Sequence, residues 1–176
     1  MPALAVVPCT TDDGPAIALN NISAFWTDPT WVLLWPGKTL DSVVSQAVRR
    51  MAHTLLIDPV HRRHEKAIDI VSGAVVGYVR WSLTEAGPQA TAPWDPENLW
   101  TAARVPAVDE ERRLEAEREF TAADWNYDHA LDELDGPMLE IKDRLLKKKN
   151  YLRKWFLSGN CDAVEKQNSL PRFGAN

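Results

Sequence analysis

Hydrophobic positions along the chain fall into short runs of differing period. Leu4-Ala5-Val6-Val7 is continuously apolar and closes at Pro8, which reads as a first strand. Thr10-Thr11-Asp12-Asp13-Gly14-Pro15 then opens a helix. A threonine can cap it, the aspartates suit the positive end of its macrodipole, and proline is tolerated in a first turn. Ala18, Ile22 and Phe25 continue at helical spacing. Asp28-Pro29 and Pro36-Gly37 bracket a loop holding Trp31, Val32, Leu33, Leu34 and Trp35, so apolar that it must pack on something. From Thr39 to about Ile57 the helical period is strong, with Val44, Ala47, Val48, Met51 and Leu55 on one face. Asp58-Pro59 ends it, because proline excludes helical geometry from the residue before it.

The next stretch predicts a β-hairpin. Lys66 to Ile70 is one strand, Ser72-Gly73 the turn, and Ala74 to Leu83 the return, rich in β-branched and aromatic residues. Gly77 inside that return predicts a bulge or a close backbone approach. Glu85 to Pro106 carries four prolines and no period, and reads as a long excursion. A charged helix is predicted from Asp109 to about Leu134, with a break, stopped by Gly136-Pro137. Met138 to about Lys154 reads as a further amphipathic helix on Met138, Ile141, Leu145 and Leu152. Ser158 to Asn176 has no pattern and is expected to fray. Strand, helix, helix, hairpin, excursion, helix, helix is an α+β arrangement with a small, mostly antiparallel sheet.

Composition narrows the function classes. The 176 residues include 20 basic and 25 acidic side chains, a formal charge of −5 that argues against broad nucleic-acid binding. No apolar run approaches a membrane span, and the first lysine is Lys38, so a signal peptide is not expected. A cytoplasmic location follows as the expectation. Cys9 and Cys161 cannot make a disulfide framework, and no zinc spacing is present; no metal is expected.

The hairpin residues carry a resemblance. Ala67-Ile68-Asp69-Ile70-Val71-Ser72-Gly73-Ala74-Val75-Val76-Gly77-Tyr78-Val79-Arg80-Trp81 resembles the second and third strands of GNAT-family N-acetyltransferases, especially a fungal group with a V-D-x-x-T-G-x-I-V-G-Y-A-x-W stretch there. Leu4 to Phe25 is similar to that family's first strand and helix. The charged helix from Asp109 matches an insertion seen in the fungal group before the fourth strand. The resemblance implies an α+β, GNAT-like N-terminal half, a partial acyltransferase domain over residues 1–152, acetyl-CoA as cofactor and an amine as acceptor. Two of the family's parts are not found. No two of the eight glycines stand one residue apart, so the R/Q-x-x-G-x-G/A turn that holds the coenzyme pyrophosphate is absent. The run Arg153 to Asn160 does not read as the fourth strand. The sheet is therefore expected to be incomplete, residues 153–176 an atypical, disordered tail, and the chain a truncated or catalytically impaired acyltransferase.

Candidate residues each carry a blander alternative. Trp31 and Trp35, in the loop that shapes the acceptor pocket of GNAT enzymes, could form one wall of a cleft with Tyr78 and Trp81. Plain core packing is the more frequent use of such aromatics. His61-Arg62-Arg63-His64 is a poor cation site and reads as a solvated approach to a strand; His53 and His129 receive no role. The acidic residues Glu110 to Glu119, interleaved with arginines, read as a solvent-facing helix with internal ion pairs, the alternative being attraction for a cationic amine. No catalytic residue and no cofactor-binding residue can be picked out. The basic segment 142–156, ending in Leu152, Trp155 and Phe156, offers a rival function: a non-catalytic interaction module, binding a protein partner or an anionic surface through this segment, or pairing through an open sheet edge.

Overall fold

The computed structural model describes residues 3–83, 101–128, 136, 139–141, 144 and 152–157, the last segment by its backbone. The first strand, β1, spans Leu4–Pro8. A single 3₁₀ turn over Thr11–Asp13 leads into helix α1, Gly14–Phe25. The Asp13 carboxylate accepts from the Thr10 backbone N–H at 2.7 Å, which fixes where the chain turns from strand to helix. A short helix α2, Pro29–Val32, follows, and then the long helix α3, Leu40–Leu56. Its start is a reciprocal cap: the Ser42 N–H donates to Thr39 Oγ1 and the Thr39 N–H to Ser42 Oγ.

Strands β2, Arg62–Asp69, and β3, Val75–Leu83, make the predicted hairpin. Gly73 at its turn has φ +73°, a left-handed conformation open to glycine at no steric cost. A 3₁₀ turn at Thr101–Ala103 and helix α4, Glu110–Ala122, complete the middle of the chain. Strand β4, Leu152–Leu157, then pairs antiparallel with β3, from Leu152 opposite Leu83 to Leu157 opposite Tyr78. The sheet order is β1-β2-β3-β4, every neighbouring pair antiparallel.

Helix α1 packs on one face of the sheet at β3, and α3 packs against α1. The core between them holds Ile17, Ala18, Ile22, Val43, Ala47, Met51 and Leu55 from the helices, and Cys9, Val75 and Tyr78 from the sheet side. Val43, Ala47, Met51 and Leu55 recur every fourth residue, so Ala47, Met51 and Leu55 of the predicted face are buried as expected, with Val43 added and Val44 and Val48 partly buried beside them. The bulge predicted at Gly77 is present: Ala67 stands opposite Gly77 but Ile68 opposite Val75, leaving Val76 as one extra residue. Val75 and Tyr78 lie three apart and would otherwise face opposite ways. The bulge turns both into the core, 6% and 5% exposed.

The α+β reading with a small antiparallel sheet matches this architecture, and three local expectations are corrected. The run after Tyr151 does form a strand, so residues 153–157 belong to the sheet and the expected boundary at 152 falls inside β4. The open edge of β3 supplies a hydrogen-bonding ladder there, and Trp155 and Phe156 are strong strand formers; the basic residues around them imitated a helical period. The second correction concerns β2, which begins at Arg62 rather than Lys66, with Arg63 and His64 buried at 0% and 1% exposure, not solvated. Thirdly, helix α4 stops at Ala122 and the chain has no regular structure from there through Asp128. Most of the expected excursion (85–100), the rest of the predicted helix to 134, most of the basic segment before Leu152 and the tail from Ser158 lie outside the described residues.

Candidate functional site

The apolar loop after α1 is built by a local cap and closed by aromatic contacts. Asp28 precedes α2 and its carboxylate accepts from the Thr30 and Trp31 N–H groups at 2.8 and 3.3 Å. That turn throws Trp31 back against α1, with ring centroids 5.8 Å from Phe25 and 5.9 Å from Trp26. Trp31 also meets Trp35 at 5.6 Å. Trp35 is 4% exposed and lies edge-on to Trp125 at 4.8 Å and to Tyr127 at 6.1 Å. The segment bearing Trp125 and Tyr127 is tied across the loop by the Asp128 N–H, which donates to the Leu34 carbonyl at 2.8 Å. Arg50 of α3 stacks beneath, its guanidinium 4.0 Å from the Phe120 ring and 5.0 Å from Trp125. His53 packs on the other part of the same group, 4.4 Å from Phe120.

Tyr78 belongs to a different environment. Its hydroxyl lies 2.7 Å from His64 Nδ1, both groups in the core. Burial, reinforced by Arg80, Arg62 and Arg63, pushes His64 down to about 3, so its imidazole is neutral. Burial likewise raises the Tyr78 phenol and, with help from Asp13, lifts the Cys9 thiol to about 12. A neutral histidine, a protonated phenol and a protonated thiol are thus enclosed together, and the other ring nitrogen of the histidine, His64 Nε2, is buried without a hydrogen-bond partner. Nearby, the Lys66 ammonium pairs with the Asp13 carboxylate and fastens β2 to the start of α1.

Trp81 lies on the opposite face of β3, since it stands three residues from Tyr78 with no irregularity between them. Its indole N–H donates to Glu65 Oε2 at 2.9 Å. On that face Arg63 is fully buried, and its guanidinium donates to the carbonyls of Pro59, Val60 and Arg62 at 2.9, 3.1 and 2.8 Å. The four residues singled out in the sequence therefore divide. Trp31 and Trp35 touch each other, Tyr78 shares the core with Trp35, and Trp81 is across the sheet.

Trp125 and Tyr127 complete the aromatic group and were not foreseen there, because they lie about ninety residues away with no period linking them to the loop. Asn20 was also missed. It is 1% exposed on α1, and neither its side-chain N nor its O has a hydrogen-bond partner; the Ser23 hydroxyl one turn on is likewise unpaired. A polar residue between Ile17, Ala18 and Ile22 on a nearly all-buried helix was the available signal.

Gly37 and Gly73 have positive φ and nothing within 4 Å of an added Cβ, and Gly14, which opens α1, would bring one only into ordinary contact with Met51. Among the described residues there is also no group of three or more His, Cys, Asp or Glu that could hold a metal ion, and no helix is long and apolar enough to cross a membrane. No family model, no curated protein and no solved structure matches the chain.

Proposed function

We propose that the chain forms the amine-acceptor side of a GNAT-type N-acyltransferase, the class that moves an acetyl group from acetyl-CoA to an amine, and that it is impaired for that transfer as its sequence stands. The observation that carries this reading is topological. Three helices, α1, the short α2 and α3, intervene between β1 and β2; α1 packs on an antiparallel sheet of order β1-β2-β3-β4 and α3 packs on α1. That is the layout implied by the resemblance of the hairpin and opening segments, and the strand β4 extends it one element further than the sequence pattern does.

In this reading the aromatic group of Trp31, Trp35, Trp125 and Tyr127, packed together after α1, would shape the acceptor pocket. Trp31, half-buried, is its outer member, whereas Trp35 is packed inside and serves to hold it. The lack of a glycine-bearing amide cradle is the reason for reading the chain as impaired. The test is the transcript. Read in all frames beyond codon 157, where β4 ends, it should carry an R/Q-x-x-G-x-G/A turn joined in frame to β4. A transcript without that turn overturns the acyltransferase reading and leaves a non-catalytic interaction module.

A further inference from the structure

Helix α4 is bound to the rest of the molecule more thinly than its length suggests. Of its 13 residues only Ala116 is buried, whereas α3 buries Val43, Ala47, Met51 and Leu55. Leu114, the one large aliphatic side chain of α4, is 45% exposed. A helix that buries so little apolar surface is held by other contacts. Here they are polar or aromatic. Arg112 meets Asp12 at 3.8 Å, and Phe120 takes Arg50 and His53 of α3. Residues 123–128 have no regular structure and continue the same seam. The Asp124 N–H donates to Gln46 Oε1 at 2.8 Å, its carboxylate takes the Lys38 ammonium at 2.7 Å, and the Asp128 N–H reaches the Leu34 carbonyl. A cleft of about 320 Å³, lined by Gly37, Lys38, Thr39, Ser42, Gln46 and Asp124, lies along this seam, so it is not close-packed. Ahead of α4 the chain is anchored, because Ala103 is 1% exposed and its 3₁₀ turn packs on β1 and β2. Between that anchor and α4, Pro106, Ala107 and Asp109 are exposed.

We propose that α4 and residues 123–128 form a lid over Trp35, hinged at residues 106–109, that opens as one unit while the sheet, α1 and α3 stay folded. The inner face of the lid is Trp125 and Tyr127, the two rings that lie edge-on to Trp35. Trp35 is 4% exposed, and its indole N–H has no hydrogen-bond partner. An enclosed donor without an acceptor weighs against the closed state, and opening offers it to water or to an acceptor on an incoming molecule. The fastenings are of a kind that solvent replaces at little cost. One is an ion pair whose carboxylate is 66% exposed, two are hydrogen bonds from backbone N–H groups, and one is a guanidinium stacked on Phe120 and Trp125. Opening gives up little apolar burial, since α4 has little to give. It uncovers the wall formed by Trp31 and Trp35 and so governs what reaches them. The lid acts in the same way whatever the aromatic group binds, and it therefore stands apart from the acyltransferase reading.

Hydrogen exchange on the full chain, followed residue by residue by NMR at rising sub-denaturing urea, tests this. The backbone amides from Leu114 to Phe120, those of Asp124 and Asp128, and the indole N–H of Trp35 should exchange through one shared opening. Their protection should be at least about a hundredfold below that of the Ala47 and Leu55 amides in α3. Two variants separate the lid from global unfolding. Arg50→Met removes the cation stacked on Phe120 and Trp125 and should speed the lid amides and the Trp35 indole together by about tenfold. Ile17→Val opens a small gap in the core, which the open-lid state shares. It should speed the Ala47 and Leu55 amides by about fivefold and leave the lid and the indole unchanged. A lid as protected as α3, or a Trp35 indole N–H that exchanges only with α3 while α4 exchanges early, overturns the proposal.

Discussion

His64 and Cys9 are the residues whose chemistry the fold alters most. Each has a testable consequence. The imidazole of His64 is held down to about 3 by burial and by the surrounding arginines, against an ordinary value near 6.5. Above pH 6.5 neither the folded nor the unfolded chain protonates it, and the stability is fully present. Between there and pH 3 only the unfolded chain takes the proton, so stability falls as pH falls, by about 1.4 kcal/mol per unit and a few kcal/mol in total. Urea unfolding from pH 8 to pH 4 should thus decline more steeply for the parent than for His64→Gln, which has nothing to titrate; parallel curves would show that His64 is not enclosed. The Cys9 thiol, lifted to about 12, has almost no thiolate at neutral pH. Peptide mapping after iodoacetamide at pH 8 should find Cys9 unmodified in the folded chain and modified in urea. Prompt alkylation of the native protein would contradict its burial.

At the scale of elements, the bulge in β3 is the feature with the widest effect, because one extra residue decides which side chains reach the core. Deleting Val76 removes the extra residue and leaves Val75 and Tyr78 two apart, so a regular ladder still turns both toward the core. The deletion variant should therefore fold cooperatively and lose less than about 3 kcal/mol, the cost of removing a large core side chain. A larger loss with Tyr78 exposed to solvent would mean that the register is not as described. Gly77 made this bulge legible in the sequence, as Pro8, Asp28-Pro29 and Asp58-Pro59 made the element ends legible. Strand β4 was hidden for a physical reason: Leu152-Arg153-Lys154-Trp155-Phe156-Leu157 has no two-residue alternation, and only the free edge of β3 selects a strand over a helix there. The early start of β2 was hidden for a related one. Arg63 and His64 are polar by composition, and only the carbonyls of Pro59, Val60 and Arg62 and the Tyr78 hydroxyl make their burial tolerable. The aromatic site was half legible. Trp31 and Trp35 announced a packed loop, whereas Trp125 and Tyr127 reach it only through the tertiary contact of α4 with α3.

For the whole molecule, the described residues assemble an antiparallel sheet with α1 packed on it and α3 packed on α1, and an aromatic group after α1. On the proposed reading the chain keeps the scaffold that would receive an amine but not the site that would anchor the coenzyme, a separation of two properties that GNAT enzymes combine. Calorimetric titration of the full chain with acetyl-CoA tests that separation most directly. No saturable heat is predicted up to about 1 mM, an affinity no better than about −4 kcal/mol. Stoichiometric binding with micromolar affinity would contradict the account.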